Sequence, residues 1–323
     1  MQNLRDWLEG RQIFIYFCAV AVGAGAALIV PGTTALENAI NPALALMLYV
    51  TFLQVPMAEL RRAFVQVRFL AALALANFVV IPLLAAVLIQ FLPNDPMVRL
   101  GVLLVLLTPC IDYVVTFSHL GRADARLLLA ATPMLLIAQM VLLPGYLTVF
   151  LGDNAARLVQ TGPFLHAFLW LIVVPLALAC VTQLLANRST SVRKVAGVLG
   201  VLPVPATALV LFIVIAAVVP QLGPAMSDAL RVTPIYIAFA ILAPLAGWLV
   251  ACLFGLSAPA GRSVAFSAAT RNSLVVLPLA LAVPGAIPVL PAVIVTQTLV
   301  ELLSQLAYVR ILPRLGQASP PGR

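Results

Sequence analysis

Runs of roughly 18 to 25 apolar residues recur along almost the whole 323-residue chain, and each is long enough to cross the hydrocarbon core of a bilayer as an α-helix. Broken by proline, glycine and charge, they fall at about 13 to 30, 38 to 55, 68 to 91, 99 to 120, 124 to 151, 163 to 186, 195 to 220, 232 to 254, 262 to 285 and 287 to 312. The links are short, so the reading is an all-α integral membrane protein with ten spans, a single transporter domain over residues 1–323. With 63% apolar and only 9% charged residues, almost nothing is left over for a soluble domain. The first run, Ile13 to Val30, has no convincing cleavage site and is followed at once by another span, so it reads as a retained helix.

A net charge of +8 would suggest nucleic acid in a soluble protein, but its placement between spans decides its meaning here. Basic residues accumulate on cytoplasmic loops. With the N-terminus inside, 14 of the 18 basic residues lie on the inner side, including Arg61, Arg62, Arg193 and Lys194. Only three, Arg99, Arg157 and Arg231, lie outside, and Arg271 is left within the membrane. A miscounted span would swap every later loop, so both termini are placed in the cytoplasm of a multi-pass cell (inner) membrane protein. Its surroundings are then lipid, and nucleic acid is excluded as a partner.

Ten spans divide as five plus five, repeat one at about 1–155 and repeat two at about 156–315, and an odd number per half inverts the second half. The fourth span of each half is interrupted by polar residues at its middle: Thr108 to Tyr113 in span four, Ser267 to Ser273 in span nine. Pro109 removes a helical hydrogen bond and turns Thr108 from the α region, so a break is expected just before Cys110. Asp112 and Arg271 then sit near the midplane, with Asn272 or Ser273 placed to cap the half-helix that follows.

Charges at the midplane are costly unless paired or hydrated, which makes Asp112 and Arg271 candidates for a substrate site as well as for a buried tie between repeats. Glu301 in span ten lies on a polar stripe with Gln297, Ser304 and Tyr308, open to a proton relay or to a neutral, hydrogen-bonded role. Asn77 and Gln139 are lone amides in apolar helices, read as interhelical hydrogen-bond glue. Cys110 falls in the break, where exposure would favour chemistry, whereas packing is the usual role of a lone membrane cysteine. The four cysteines form no metal-ligand or disulfide spacing, and no nucleotide-binding loop or hydrolase motif is present. The reading is therefore a transporter without cofactor or metal, and not an enzyme.

Two stretches carry a family resemblance. Thr108-Pro-Cys-Ile-Asp-Tyr113, running through Ser118 to Asp124 and on to Gln139-Met-Val-Leu-Leu-Pro144, resembles the fourth and fifth spans of arsenical resistance permeases of the bile acid/sodium symporter superfamily. Phe266-Ser-Ala-Ala-Thr-Arg-Asn-Ser273, with Leu277-Pro-Leu-Ala-Leu281, is similar to the broken span nine of such members. The resemblance implies ten spans in two inverted halves and export of arsenite (trivalent arsenic) driven by the proton gradient, with Cys110 as the functional thiol. A soft metalloid suits thiolate sulfur. Better-known arsenite permeases carry a glutamate shortly after paired asparagines in span nine. This chain has Arg271-Asn272-Ser273-Leu274 there, which leaves Asp112 and Glu301 as its proton carriers. The rival reading is sodium-coupled symport of a small organic anion, which Arg271 would suit, with Thr108, Asp112, Thr116, Asn272 and Ser273 as partial oxygen ligands for the ion.

Overall fold

The computed structural model describes residues 2–54, 66–111, 113–152, 162, 166, 169–281 and 283–316. Asp112, Arg61, Arg62, Arg157 and the link around Asp153 lie outside the described residues. In chain order the helices are α1 (Gln2–Ile29), α2 (Glu37–Leu53), α3 (Val67–Phe91), α4 (Pro96–Leu106), α5 (Tyr113–Leu120), α6 (Ala125–Leu151), α7 (Val174–Ala186), α8 (Thr190–Leu199), α9 (Pro203–Val218), α10 (Leu222–Leu253), α11 (Ala258–Ala269), α12 (Ser273–Leu281) and α13 (Val289–Ile311). No strand occurs among the described residues. Seven helices are long and apolar enough to cross a membrane: α1, α2, α3, α6, α9, α10 and α13. Large apolar side chains such as Phe14, Leu28, Leu249 and Leu253 stay exposed on them, as spanning helices require where they face lipid.

Three boundaries differ clearly from the sequence pattern. The first run, expected at 13 to 30, begins instead at Gln2. The seventh run, expected at 195 to 220, divides at Gly200 into α8, which buries no residue and carries Arg193 and Lys194, and the apolar α9, which starts at Pro203. Proline at a first helical position needs no N–H partner, so the apolar helix starts there, and the basic turn before it stays outside the core. The eighth run, expected from 232, begins instead at Leu222, so Asp228 and Arg231 lie on α10 and not in a link. Pro224 falls in the first turn of α10, where it is tolerated.

The chain forms two compact units. One comprises Met1–Pro56, Asp153–Ala229 and Leu274–Val295. Within it α1 packs on α9, α9 on α2, and α2 on α7. Gln183 donates to the Phe52 and Leu53 carbonyls, supplying acceptors at the end of α2 with a partner the helix cannot provide. The other unit comprises Met57–Gly152, Leu230–Ser273 and Thr296–Arg323. In it α11 is central, packed against α3, α5 and α6. Gly247 lets α10 approach α11, because a Cβ there would stand 2.7 Å from the Ala268 Cβ.

Within the second unit one hydrogen-bond device occurs twice. Pro82 has no N–H for the Phe78 carbonyl of α3, and the Tyr146 hydroxyl donates to that carbonyl instead. Pro244 likewise leaves the Ala240 carbonyl of α10 open, and Tyr308 donates to it. In both cases the two residues are 68 apart. An offset of 162 residues takes Pro82 to Pro244, Tyr146 to Tyr308 and Thr108 to Thr270. Two halves of one unit thus solve the same proline problem in the same way.

Candidate functional site

Both interruptions fall in the second unit. Helix α4 stops at Leu106 and α5 starts at Tyr113; α11 stops at Ala269 and α12 starts at Ser273. The unwound residues satisfy one another: Cys110 N–H donates to the Thr270 carbonyl at 3.0 Å, and Asn272 N–H donates to the Thr108 carbonyl at 2.8 Å. This makes an antiparallel bridge of Pro109 with Arg271. The 162-residue offset carries Cys110 onto Asn272 and Thr108 onto Thr270, so each bond is the other's counterpart. Thr108 and Thr270 also fold their hydroxyls back onto the carbonyls of Leu104 and Phe266, four residues earlier in each case. The Thr108 hydroxyl is thereby committed to its own helix end.

The Arg271 side chain is fully buried. Its Nη1 donates to the Leu106 carbonyl at 3.3 Å. Nη2 donates to Asn77 Oδ1 at 2.8 Å, to the Ala268 carbonyl at 2.8 Å and to the Ser267 carbonyl. The guanidinium carbon stands 5.6 Å from the Phe239 ring centroid, a cation–π distance. Nε alone has no partner among the described residues. The expected Asp112 partner lies outside the described residues. Among the described residues its side-chain hydrogen bonds go to backbone carbonyls and one amide.

Glu301 is buried on α13, and its carboxylate accepts from the bridge residue Arg271 and from two side chains. One carboxylate oxygen accepts the Tyr113 hydroxyl at 2.6 Å; the other accepts the backbone N–H of Arg271 at 2.7 Å and the Gln297 amide. Gln297 in turn accepts the Ser273 hydroxyl. Gln305 donates to Thr270 Oγ1 at 2.7 Å, so the buried polar face of α13 runs through Gln297, Glu301, Gln305 and Tyr308, with Ser304 only half-buried. One carboxylate therefore joins the start of α5 to the break before α12.

Cys110 is fully buried, not exposed as its place in the break suggested; Cys18 and Cys252 are the exposed cysteines. The bridge pairs and covers the unwound backbone, because open peptide groups there would have to be hydrogen-bonded. No disulfide links the four cysteines. Asn272 is buried and its amide has no partner among the described residues, so it is a polar group still available to a ligand.

Asn77 does join helices, through Ser267 Oγ at 3.0 Å, but it also holds Arg271, a role its apolar context did not signal. Gln139 is not the expected glue: it is buried and its amide finds no partner among the described residues. The 162-residue offset makes Gln139 the counterpart of Glu301 and Pro109 the counterpart of Arg271. Glu301 takes the N–H of Arg271, and proline has none to give, which accounts for the orphaned amide. No three His, Cys, Asp or Glu side chains come together among the described residues.

A family model described as the sodium bile acid symporter family matches residues 41–223, more than half of the chain. The match takes in α4, the first interruption and α5, and ends before α11. No curated protein matches the chain.

Proposed function

The chain belongs to the sodium bile acid symporter family and is a multi-pass membrane protein of symporter type, and on that footing we propose that it is a secondary exporter of arsenite coupled to the proton gradient. Its architecture in this reading is ten spans in two inverted five-helix repeats, with α4–α5 and α11–α12 as the two broken spans and both termini in the cytoplasm of the inner membrane. The 162-residue recurrence of the proline–tyrosine device supports the repeat. Single cysteines near Asp95 should react with an impermeant label from outside, and cysteines near Arg193 should not.

The observation that carries the reading is that one bridge joins a cysteine-bearing break to a residue bonded by a carboxylate: Cys110 pairs through its backbone with Thr270, and the next residue, Arg271, donates its N–H to Glu301. Arsenous acid is neutral and needs no fixed counter-charge. The Cys110 thiol displaces one arsenic hydroxyl as water, forming a sulfur–arsenic bond that water reverses on release. A single thiol holds arsenic weakly enough to let go. Asn272, with its unpartnered amide, offers a hydrogen bond to a remaining hydroxyl, and Ser273 lies beside it in sequence. Glu301 takes and releases the coupling proton, with Asp112 as the second carrier.

The alternative is sodium-coupled uptake of a small organic anion, favoured by the family description and by the unpartnered Nε of Arg271. Everted vesicles with proton and sodium gradients imposed separately distinguish the two. Proton-driven arsenite accumulation supports export; sodium-driven movement of an organic anion, with no arsenite transport, replaces it.

A further inference from the structure

At the crossing, where the break after α4 pairs with the break after α11, the side chain of Arg271 is held by oxygen acceptors. Four oxygen atoms converge there: the carbonyls of Leu106, Ser267 and Ala268, and Asn77 Oδ1. Hard oxygen ligands of this kind are what an alkali cation takes in place of its hydration shell. Leu106 is the last residue of α4, and Ser267 and Ala268 lie in the last turn of α11. Those carbonyls have no partner within their own helices, and each helix end carries about half a negative elementary charge. Two such ends together offset about one positive charge, which favours a guanidinium held on their carbonyl oxygens.

The site also lies on the internal symmetry. The 162-residue offset takes Leu106 to Ala268 and Asn77 to Phe239. The guanidinium therefore binds equivalent carbonyls from the two repeats, and has the amide of Asn77 and the face of Phe239 as its equivalent flanking groups. One charge ties both half-helix ends together from a shared position.

We propose that Arg271 is a resident cation: its guanidinium fills, between the ends of α4 and α11, the oxygen site that a coupling sodium ion would need, so this chain requires no sodium at the crossing. With the guanidinium there, the four oxygens are already used as acceptors and a sodium ion has no place among them. Because a tethered charge cannot leave, the crossing stays assembled throughout the cycle, and coupling falls to a group that can exchange its ion. The inference rests on the reading of the crossing as the transport site, but its test uses no substrate.

The test is sodium binding to the purified full-length chain in detergent, by radioactive sodium and by thermal midpoint in sodium chloride against choline chloride of equal ionic strength. The unmutated protein and Arg271→Lys, which keeps a tethered charge, should show the same midpoint in both salts. Arg271→Gln should bind one more sodium ion per chain, with its midpoint rising by about 3 °C or more at sodium well above the dissociation constant. If that variant unfolds in choline, recovery of folded protein with sodium or low-millimolar methylguanidinium present during solubilisation supports the cage, and recovery with neither overturns it. A folded Arg271→Gln chain that gains no sodium binding overturns the inference, as does a sodium-dependent midpoint in Arg271→Lys. Failure of arsenite transport would remove the substrate proposal and leave this result standing.

Discussion

Replacing Glu301 separates two jobs that one side chain performs, holding the bridge and carrying a proton. Three donors point at its carboxylate: the Tyr113 hydroxyl, the Arg271 backbone N–H and the Gln297 amide. Glu301→Ala strands all three in a buried place, at about 1–3 kcal/mol for each donor left unsatisfied. Tyr113 has a fallback, since its hydroxyl already lies 3.5 Å from the Arg271 carbonyl, so the total is set at about 3–5 kcal/mol. Glu301→Gln is different. Its amide oxygen can keep the Arg271 and Gln297 donors, while its NH2 faces a Tyr113 oxygen that turns to accept, because a hydroxyl is both donor and acceptor. The cost should be about 1 kcal/mol or less. Thermal unfolding in detergent should put Glu301→Ala about 10 °C below the parent and Glu301→Gln within about 3 °C of it. Proton-driven transport in vesicles should be lost in both. Equal destabilisation by Ala and Gln would show that the negative charge, not the acceptor geometry, holds the bridge. Undiminished pH-dependent transport by Glu301→Gln would remove Glu301 as a proton carrier.

Cys110→Ser should abolish arsenite resistance and vesicle transport at unchanged protein abundance, with changes at Cys18, Cys180 or Cys252 tolerated; wild-type transport by Cys110→Ser would end the thiol mechanism. Tyr146→Phe and Tyr308→Phe should each destabilise by about 1 kcal/mol, since each strands a carbonyl already abandoned by a proline, and a calorimetric or fluorescence melt of the double variant should show additive losses. Gly247→Leu should cost about 1–3 kcal/mol or more by forcing α10 away from Ala268, while Gly145→Ala, with open space around its Cβ position, should leave the melting midpoint unchanged or raise it.

Much of this protein follows from local sequence. Apolar runs long enough to cross lipid can be satisfied there only as helices, so the helical class follows from length and composition. The two interruptions were legible because Pro109, and the polar run from Ser267 to Ser273, break an otherwise apolar pattern that nothing else explains. Segment ends were less legible: the start of α9 at Pro203 and of α10 at Leu222 depend on where the flanking turns find partners, and hydropathy does not report that.

What only the tertiary structure decided is the partner of each buried polar group. Arg271 was visible as a charge within an apolar run, but its acceptors come from residues 77, 106, 267 and 268, brought together by two helix ends that sequence cannot place side by side. Cys110 looked exposed because it lies in a break, and is buried because the break is paired with its counterpart. Glu301 and Gln139 stand at equivalent positions with opposite outcomes, the first bonded to the backbone N–H of Arg271 and the second without a partner among the described residues, where the counterpart of Arg271 is Pro109. Composition fixes how many polar groups must be buried; the pairing of backbone ends across the crossing fixes which of them are satisfied, and hence which remain to meet a ligand.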